Sequence, residues 1–318
     1  MKVLVWHVHG SWTTALVQGR HEFLLPLAPD RGPAGRGRAQ TWDWPPNAVE
    51  VPLSELGRAE FDVAILQRPQ ELELLERWTG RRPGVDVPAV YVEHNTPDGP
   101  AASTSHPLAG QTTVPIVHVT HFNQLMWDNG AAPVEVIEHG VIDPGYRYTG
   151  QRLAVAAVVN EPVRRWRVAG TDTLVELASQ VPVEVFGMGM APLAARAPGL
   201  AAVHENLHQD ALHDELGRCR AYFHPYRWTS LGLALIEAMA IGMPVLGWAA
   251  TAAPDAVPAT AGVLSTDPAD LAAAARRWLH DPEEARQVGL AARQHALARF
   301  GLDRFLDDWD HLLTEVIR

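Results

Sequence analysis

One cysteine, Cys219, and one lysine, Lys2, are all that this 318-residue chain has of either type. A lone cysteine excludes an internal disulfide framework and suits a reducing compartment, so a structural thiol in a cytoplasmic protein is expected. With a single lysine, arginine carries the positive charge elsewhere, and chemistries built on an internal lysine are excluded. Clustered positive charge is scarce as well. The formal net charge of −11 argues against general affinity for nucleic acid or anionic lipid, both of which reward clustered Lys and Arg. Any anionic ligand must therefore be held by a local site. The opening MKVLVWHVHG has an apolar stretch too short for a signal peptide or a membrane span. Trp6 and His7 interrupt it, so it reads as a first strand, and no stable membrane association is expected. No Gly-x-Gly-x-x-Gly follows that strand, which argues against a dinucleotide-dependent dehydrogenase.

What is present is apolar and alternating. Hydrophobic residues make up 47% and charged ones 20%, enough to bury substantial cores, and the length suits two domains better than one. Short β-branched runs at residues 3–8, 61–66, 89–92, 116–119 and 134–137 alternate with helix patterns at 70–78 and 122–128. The pattern pauses at 143–151, where turn formers gather, and resumes with strands at 154–159, 183–186, 221–223, 244–246 and 262–264. Helix patterns at 172–179, 210–218, 233–240, 268–279 and 283–299 separate or follow them. Such alternation predicts parallel α/β sheets, here two Rossmann-like domains over 1–145 and 150–301. Residues 302–318 carry a helical apolar stripe, Phe305, Leu306, Trp309, Leu312, Leu313 and Val316, expected to pack back on the first domain. Residues 29–37 and 96–111 read as two mobile loops above the sheet.

The most informative stretch runs from Tyr226 to Gly247, YRWTSLGLALIEAMAIGMPVLG. It follows a buried strand and opens a helix. Ser230 is the expected N-cap, and Gly232 lets a ligand approach the first turn, where unpaired N–H groups and the helix dipole favour an anion. Glu237 shares the face of Leu233 and is placed to accept bonds from ribose hydroxyls. A buried helix with a capping serine explains the same residues, and physics alone leaves the two readings even. Upstream, Arg164, Arg165 and Arg167 follow a strand and suit bidentate phosphate binding, Arg165 first and Arg167 second, or are simply solvated. Gly187 and Gly189 in Phe186-Gly-Met-Gly leave room for a ligand or make a tight turn.

Gly232, Leu233, Glu237, Ala238, Met239, Ala240, Gly242, Pro244 and Val245 resemble the donor motif of retaining GT-B glycosyltransferases of the GT4 type, the glycosyltransferase group 1 family. The resemblance implies a GT-B fold, two facing Rossmann-like domains with a deep cleft, with an acceptor-binding first domain and a donor-binding second one. It implies that Glu237 holds the nucleotide ribose, that Ser230, Leu231, Gly232 and Leu233 contact sugar and phosphates, and that the basic cluster neutralises the departing diphosphate. The family's first Glu falls on Thr229, eight positions before Glu237, and its usual Lys before Gly falls on Ala169. In the first half, His9, Gly10, Ser11 and Trp12 resemble the family's loop beneath acceptor and phosphates. His94, in Glu-His-Asn-Thr-Pro, resembles the histidine that reaches the donor sugar.

The implied activity moves a hexose from a nucleotide diphosphate sugar, GDP-mannose first and UDP-glucose second, to a soluble sugar or oligosaccharide. No general base stands out, and a divalent cation is at most auxiliary. The acidic balance of the first 145 residues disfavours lipid acceptors. Two other readings stand beside this one. Thr229 and Ala169 prompt a catalytically silent glycan- or nucleotide-sugar-binding protein. His7 and His9, with His94, His118 and His139, suggest more distantly a metal-dependent hydrolase, because strand alternation would send both members of His-x-His to one face. The related binuclear hydrolases need a central lysine, a place Lys2 cannot take.

Overall fold

Seven parallel strands and six parallel strands make two separate sheets in the computed structural model, which describes residues 1–40 and 42–318. The chain divides into one unit of residues 1–141 with 302–318 and a second of residues 142–301.

In the first unit, β1 (Lys2–Val5), β2 (Glu22–Leu27), β3 (Ala48–Pro52), β4 (Val63–Leu66), β5 (Ala89–Glu93), β6 (Ile116–His118) and β7 (Val134–Val136) assemble in the order β3-β2-β1-β4-β5-β6-β7. Helices α1 (Gly10–Leu16), α2 (Gln70–Thr79) and α3 (His121–Met126) follow β1, β4 and β6. The central strands are apolar on both faces, as β4 shows with all four of VAIL buried, because helices cover both sides of such a sheet. Strand order reverses between β1 and β4, so their carboxyl ends open a crevice.

The second unit places β8 (Arg152–Val158), β9 (Val183–Gly187), β10 (Ala202–Glu205), β11 (Cys219–His224), β12 (Val245–Trp248) and β13 (Gly262–Ser265) in the order β10-β9-β8-β11-β12-β13. The switch point here lies between β8 and β11, registered by Ala221 on Val155 and Tyr222 on Ala156. Helices α4 (Thr171–Ala178), α5 (Ala191–Arg196), α6 (Gln209–Arg218), α7 (Leu233–Ala240), α8 (Ala253–Ala256), α9 (Pro268–His280) and α10 (Pro282–Phe300) complete it. Asp267 and Asp281 cap α9 and α10 from the position before a first-turn proline, accepting from Ala269 N at 2.8 Å and Glu284 N at 2.9 Å.

The last helix, α11 (Leu302–Val316), lies in the first unit. Its stripe buries Phe305, Trp309, Leu312 and Leu313, and Trp309 meets Trp12 edge-on at 5.5 Å. Asp310 pairs with Arg20 at 2.9 Å and with His21 at 2.7 Å.

Several expectations need correction. The first strand ends at Val5 rather than residue 8, so His7 and His9 lie beyond it and alternation does not govern them. Strands β2, β3 and β10 and helices α1, α5 and α8 escaped the sequence reading, β2 because Pro26 inside EFLLPL argues against an interior strand. Pro26 has no N–H to give the sheet, and its carbonyl accepts from Gly37 N at 3.0 Å. The loop at 29–37 is tied down: Glu50 of β3 accepts from Arg31 at 2.9 Å and Arg38 N at 2.8 Å, and Trp6 Nε1 donates to Ala34 O at 3.0 Å. Ser230 is not a helix cap. Gly232 occupies that position with an extended backbone, φ −73° and ψ 125°, and no side chain caps α7.

Candidate active site

At the switch point of the second unit, β8 runs into a turn segment, residues 161–170, that carries the three arginines. Gly170 fastens it. Its φ of 68° is left-handed, and a Cβ there would sit 1.7 Å from Pro225 O, so only glycine lets the segment lie against the end of β11. The arginines then part company. Arg164 is paired with Glu161, and Arg167, three-quarters exposed, is paired with Asp172 at 2.8 Å, a carboxylate that also takes Arg227 at 2.5 Å. Arg165 has Tyr226 as its partner, with its guanidinium carbon 5.6 Å from the ring centroid. A guanidinium beside an aromatic ring keeps its full charge, because the ring does not neutralise it as a carboxylate would.

The start of α7 lies just beyond Tyr226. Thr229 and Gly232 are half-buried, while Ser230 and Leu231 are buried. Glycine at the N-cap brings no side-chain acceptor to the first turn, which is the positive end of the helix. One turn on, Glu237 is mostly buried, and its carboxylate lies 3.7 Å from His213 Nε2, beyond hydrogen-bond reach. That nitrogen is engaged by Gln209 at 2.9 Å. Glu237 is thus a shielded acceptor with lone pairs to spend.

The Gly187-Met188-Gly189 loop follows β9. Gly187, at φ 147°, admits no Cβ, which would meet Val159 O at 2.2 Å. The loop's N–H groups are spent inside the protein. Asn160 Oδ1 accepts from Met188 at 3.0 Å, and Glu205 accepts from Gly189 at 2.9 Å and Met190 at 2.7 Å. A tight turn therefore accounts for both glycines. Glu205 gave no sign in the sequence beyond its place at the end of β10, and Tyr226 none beyond opening the stretch that leads to α7.

In the first unit, the residues after β1 meet those after β4 and β5. His9 occupies the N-cap position of α1, Gly10 and Ser11 begin the helix, and Trp12 is buried beneath it. The six-membered ring of Trp42 covers Gly10 so closely that a Cβ would lie 2.6 Å from it. His94 meets His9 at a tilt of 34° with ring centroids 4.0 Å apart, lies edge-on to Trp12 at 5.2 Å, and has His139 nearly parallel at 6.3 Å. Gln67, just past β4, orients His94. Its amide nitrogen donates to Trp6 O at 2.6 Å, which turns Oε1 toward His94 Nε2 at 3.0 Å. The proton is accordingly assigned to Nε2 of His94, with Nδ1 as the basic nitrogen. Burial and neighbouring histidines hold the His94 pKa well below 6.5, and burial with Arg68, Arg36 and His7 nearby lowers His9 to about 4. Both rings are neutral at physiological pH.

His7 points elsewhere, its Nδ1 3.1 Å from Gly37 O and its ring 4.8 Å from Trp44. Among the described residues no three His, Cys, Asp or Glu side chains group as metal ligands would. The geometry required by the metal-hydrolase reading is therefore not met. No described helix is long and apolar enough to cross a membrane.

Residues 180–295 match the family model described as Glycosyl transferases group 1. Comparison with curated protein sequences gives no match. Among solved structures, sucrose-phosphate synthase of Thermosynechococcus elongatus is similar over 99% of each chain, at 15% identity and a TM-score of 0.75. HepE of Anabaena, solved with UDP and with UDP-glucose, is similar too. In its UDP complex it matches over 99% of this chain and 100% of its own, at 13% identity and a TM-score of 0.72. A glycosyltransferase from Rickettsia africae covers 100% and 98%, at 13% identity and a TM-score of 0.65. The matched span holds β11, the turn before α7, and Glu237, the same segment on which the sequence resemblance rests. Residues 180–295 thus match the glycosyltransferase group 1 model, in a chain that has the GT-B fold.

Proposed function

We propose that the protein is a retaining glycosyltransferase that moves a hexose from a nucleotide diphosphate sugar to a hydroxyl of a soluble sugar or oligosaccharide. The second unit binds the donor and the first the acceptor. One observation carries the reading: an uncapped helix start, a shielded carboxylate at Glu237 and an aromatic-backed arginine, Arg165, gather at one switch point. That set suits a diphosphate attached to a ribose. HepE's complexes with UDP and UDP-glucose favour a uridine donor, with UDP-glucose ahead of GDP-mannose.

Leaving-group stabilisation by Arg165 and the N–H groups of Gly232 and Leu233 supplies the rate enhancement, and the retaining outcome follows front-face attack without a protein nucleophile. Arg164 and Arg167, paired with carboxylates, contribute to the local field rather than to direct contact. Thr229 offers a hydroxyl to the donor sugar in place of a carboxylate. In the first unit, neutral His94, with His9, Gly10, Ser11 and Trp12, binds the acceptor. No metal is required.

Calorimetric titration with UDP, GDP and their hexose conjugates tests the donor half. Binding of none of them would end the proposal. Product analysis by mass spectrometry, with glucose and oligosaccharide acceptors, then separates transfer from binding alone. Binding without transfer has one observation in its favour, the uncharged Thr229 and the fully buried Ala169 at two positions where the resembled family is charged.

A further inference from the structure

His224 ends β11 at the switch point and is 1% exposed. Neither of its ring nitrogens meets a hydrogen-bond partner among the described residues. A neutral imidazole always carries one N–H and one lone pair, so burying both unmatched is costly. Other buried histidines near strand ends engage at least one nitrogen: His94 on Gln67, His118 on Asn129, and His106 on both Glu93 and the N–H of Leu108.

The ring lies against the uncapped start of α7. A Cβ built on Gly232 would stand 3.0 Å from His224 Cε1, with Nδ1 and Nε2 at 3.8 and 4.0 Å. The imidazole thus fills the space that the missing side chain leaves, its nitrogen edges beside the N-cap. Tyr222 and Tyr226, alternate residues on the same face of the chain, flank it with ring centroids at 6.4 and 5.1 Å. Gly247 of β12 closes the far side, where a Cβ would be 3.3 Å from His224 Cβ.

We propose that His224 is a donor-binding residue whose ring N–H completes its hydrogen bond on an anionic oxygen of the nucleoside diphosphate held at the start of α7. The inference rests on the transferase reading above and extends it to a residue that the sequence did not single out. Complete burial lowers the His224 pKa to about 4, so the ring is neutral and its donor is present throughout the physiological range. It adds direction to the site without adding charge, beside the charge that Arg165 brings.

The test is calorimetry of UDP and uridine on the full chain and on His224→Phe and His224→Gln, with melting temperatures measured without ligand. His224→Phe is expected to weaken UDP about tenfold to a hundredfold, the scale of a hydrogen bond to a charged group. It should leave uridine binding unchanged and keep or raise the melting temperature, since an unmatched buried donor is gone. His224→Gln, which keeps an N–H donor, should recover part of the UDP affinity. A His224→Phe protein that melts lower and binds UDP as the native protein does would overturn the inference and identify an ordinary core histidine. If His224→Phe does not fold, imidazole 15N spectra of the native protein decide, with His224 identified by its missing signals in His224→Gln. UDP, but not uridine, should move those resonances, and unmoved ones refute the assignment. A native protein that binds neither UDP nor GDP defeats the transferase reading itself. Unchanged UDP binding by His224→Phe defeats only the role of His224.

Discussion

A side chain at position 170 has no room, and that fact fixes where the arginines stand. Gly170→Ala would force a left-handed residue against Pro225 O, and we expect a stability loss of about 2 to 4 kcal/mol in urea unfolding. UDP affinity should fall with it, because the same contact holds Arg165 beside Tyr226. Among the arginines themselves, Arg165→Ala should weaken UDP binding by about 2 kcal/mol, roughly thirtyfold. Arg164→Ala and Arg167→Ala should change it less than about threefold, since these side chains already face Glu161 and Asp172 at the surface. Equal losses from all three would mean that the cluster acts as an undivided field. Sequence spacing exposed the cluster and not its division of labour. The division depends on Asp172, shared with Arg227 fifty-five positions along the chain, and no local pattern reports such a pairing. Ser230 shows the same limit. A serine before an apolar run satisfies the cap rule, yet the helix starts two residues later, behind a glycine.

Elements were legible in proportion to their apolar continuity. The strands at the centre of each sheet and the helices α9 and α11 announce themselves, because burial on both faces leaves a continuous apolar run and burial of one stripe leaves a helical period. The edge strand β3, written AVEVP, carries a glutamate whose task is to clamp the 29–37 loop, and that polar duty hides the strand. Helix α1 is hidden for a similar reason: GSWTTAL is short and rich in β-branched and polar residues that pack rather than propagate. Its stability comes from α11. Trp12 and Trp309 meet edge-on, both almost wholly buried, so Trp309→Ala should cost about 3 to 5 kcal/mol. The loss is local in origin, and hydrogen exchange should show α1 and α11 deprotected first. If α1 keeps native protection while α11 frays, the two helices are not the joint element that their aromatic contact indicates.

Across the whole molecule, the titratable groups most displaced by folding include histidines held neutral. His9, His118 and His224 are lowered to about 4 chiefly by burial, and His7, His21 and His94 are displaced in the same direction. In the unfolded chain each would titrate near 6.5, so between 6.5 and 4 the unfolded state binds more protons than the native one. The stability that these rings contribute is complete above 6.5 and is lost as the pH falls through that window, at roughly 1 to 3 kcal/mol for each fully buried ring. Carboxylates add a second, lower step. Glu50 and Glu215, paired with Arg31 and Arg152, have lowered pKa values and lose their contribution below about 4.5. Glu71 runs against them, since burial raises its pKa and acid relieves it. The expected urea midpoint is therefore flat from pH 8 to 7, falls steeply from 6.5 toward 4, and falls further below that. His224→Phe should remove one proton from the steep part of the curve. A midpoint that holds level down to pH 5 would show that burial does not hold these histidines neutral in the native protein.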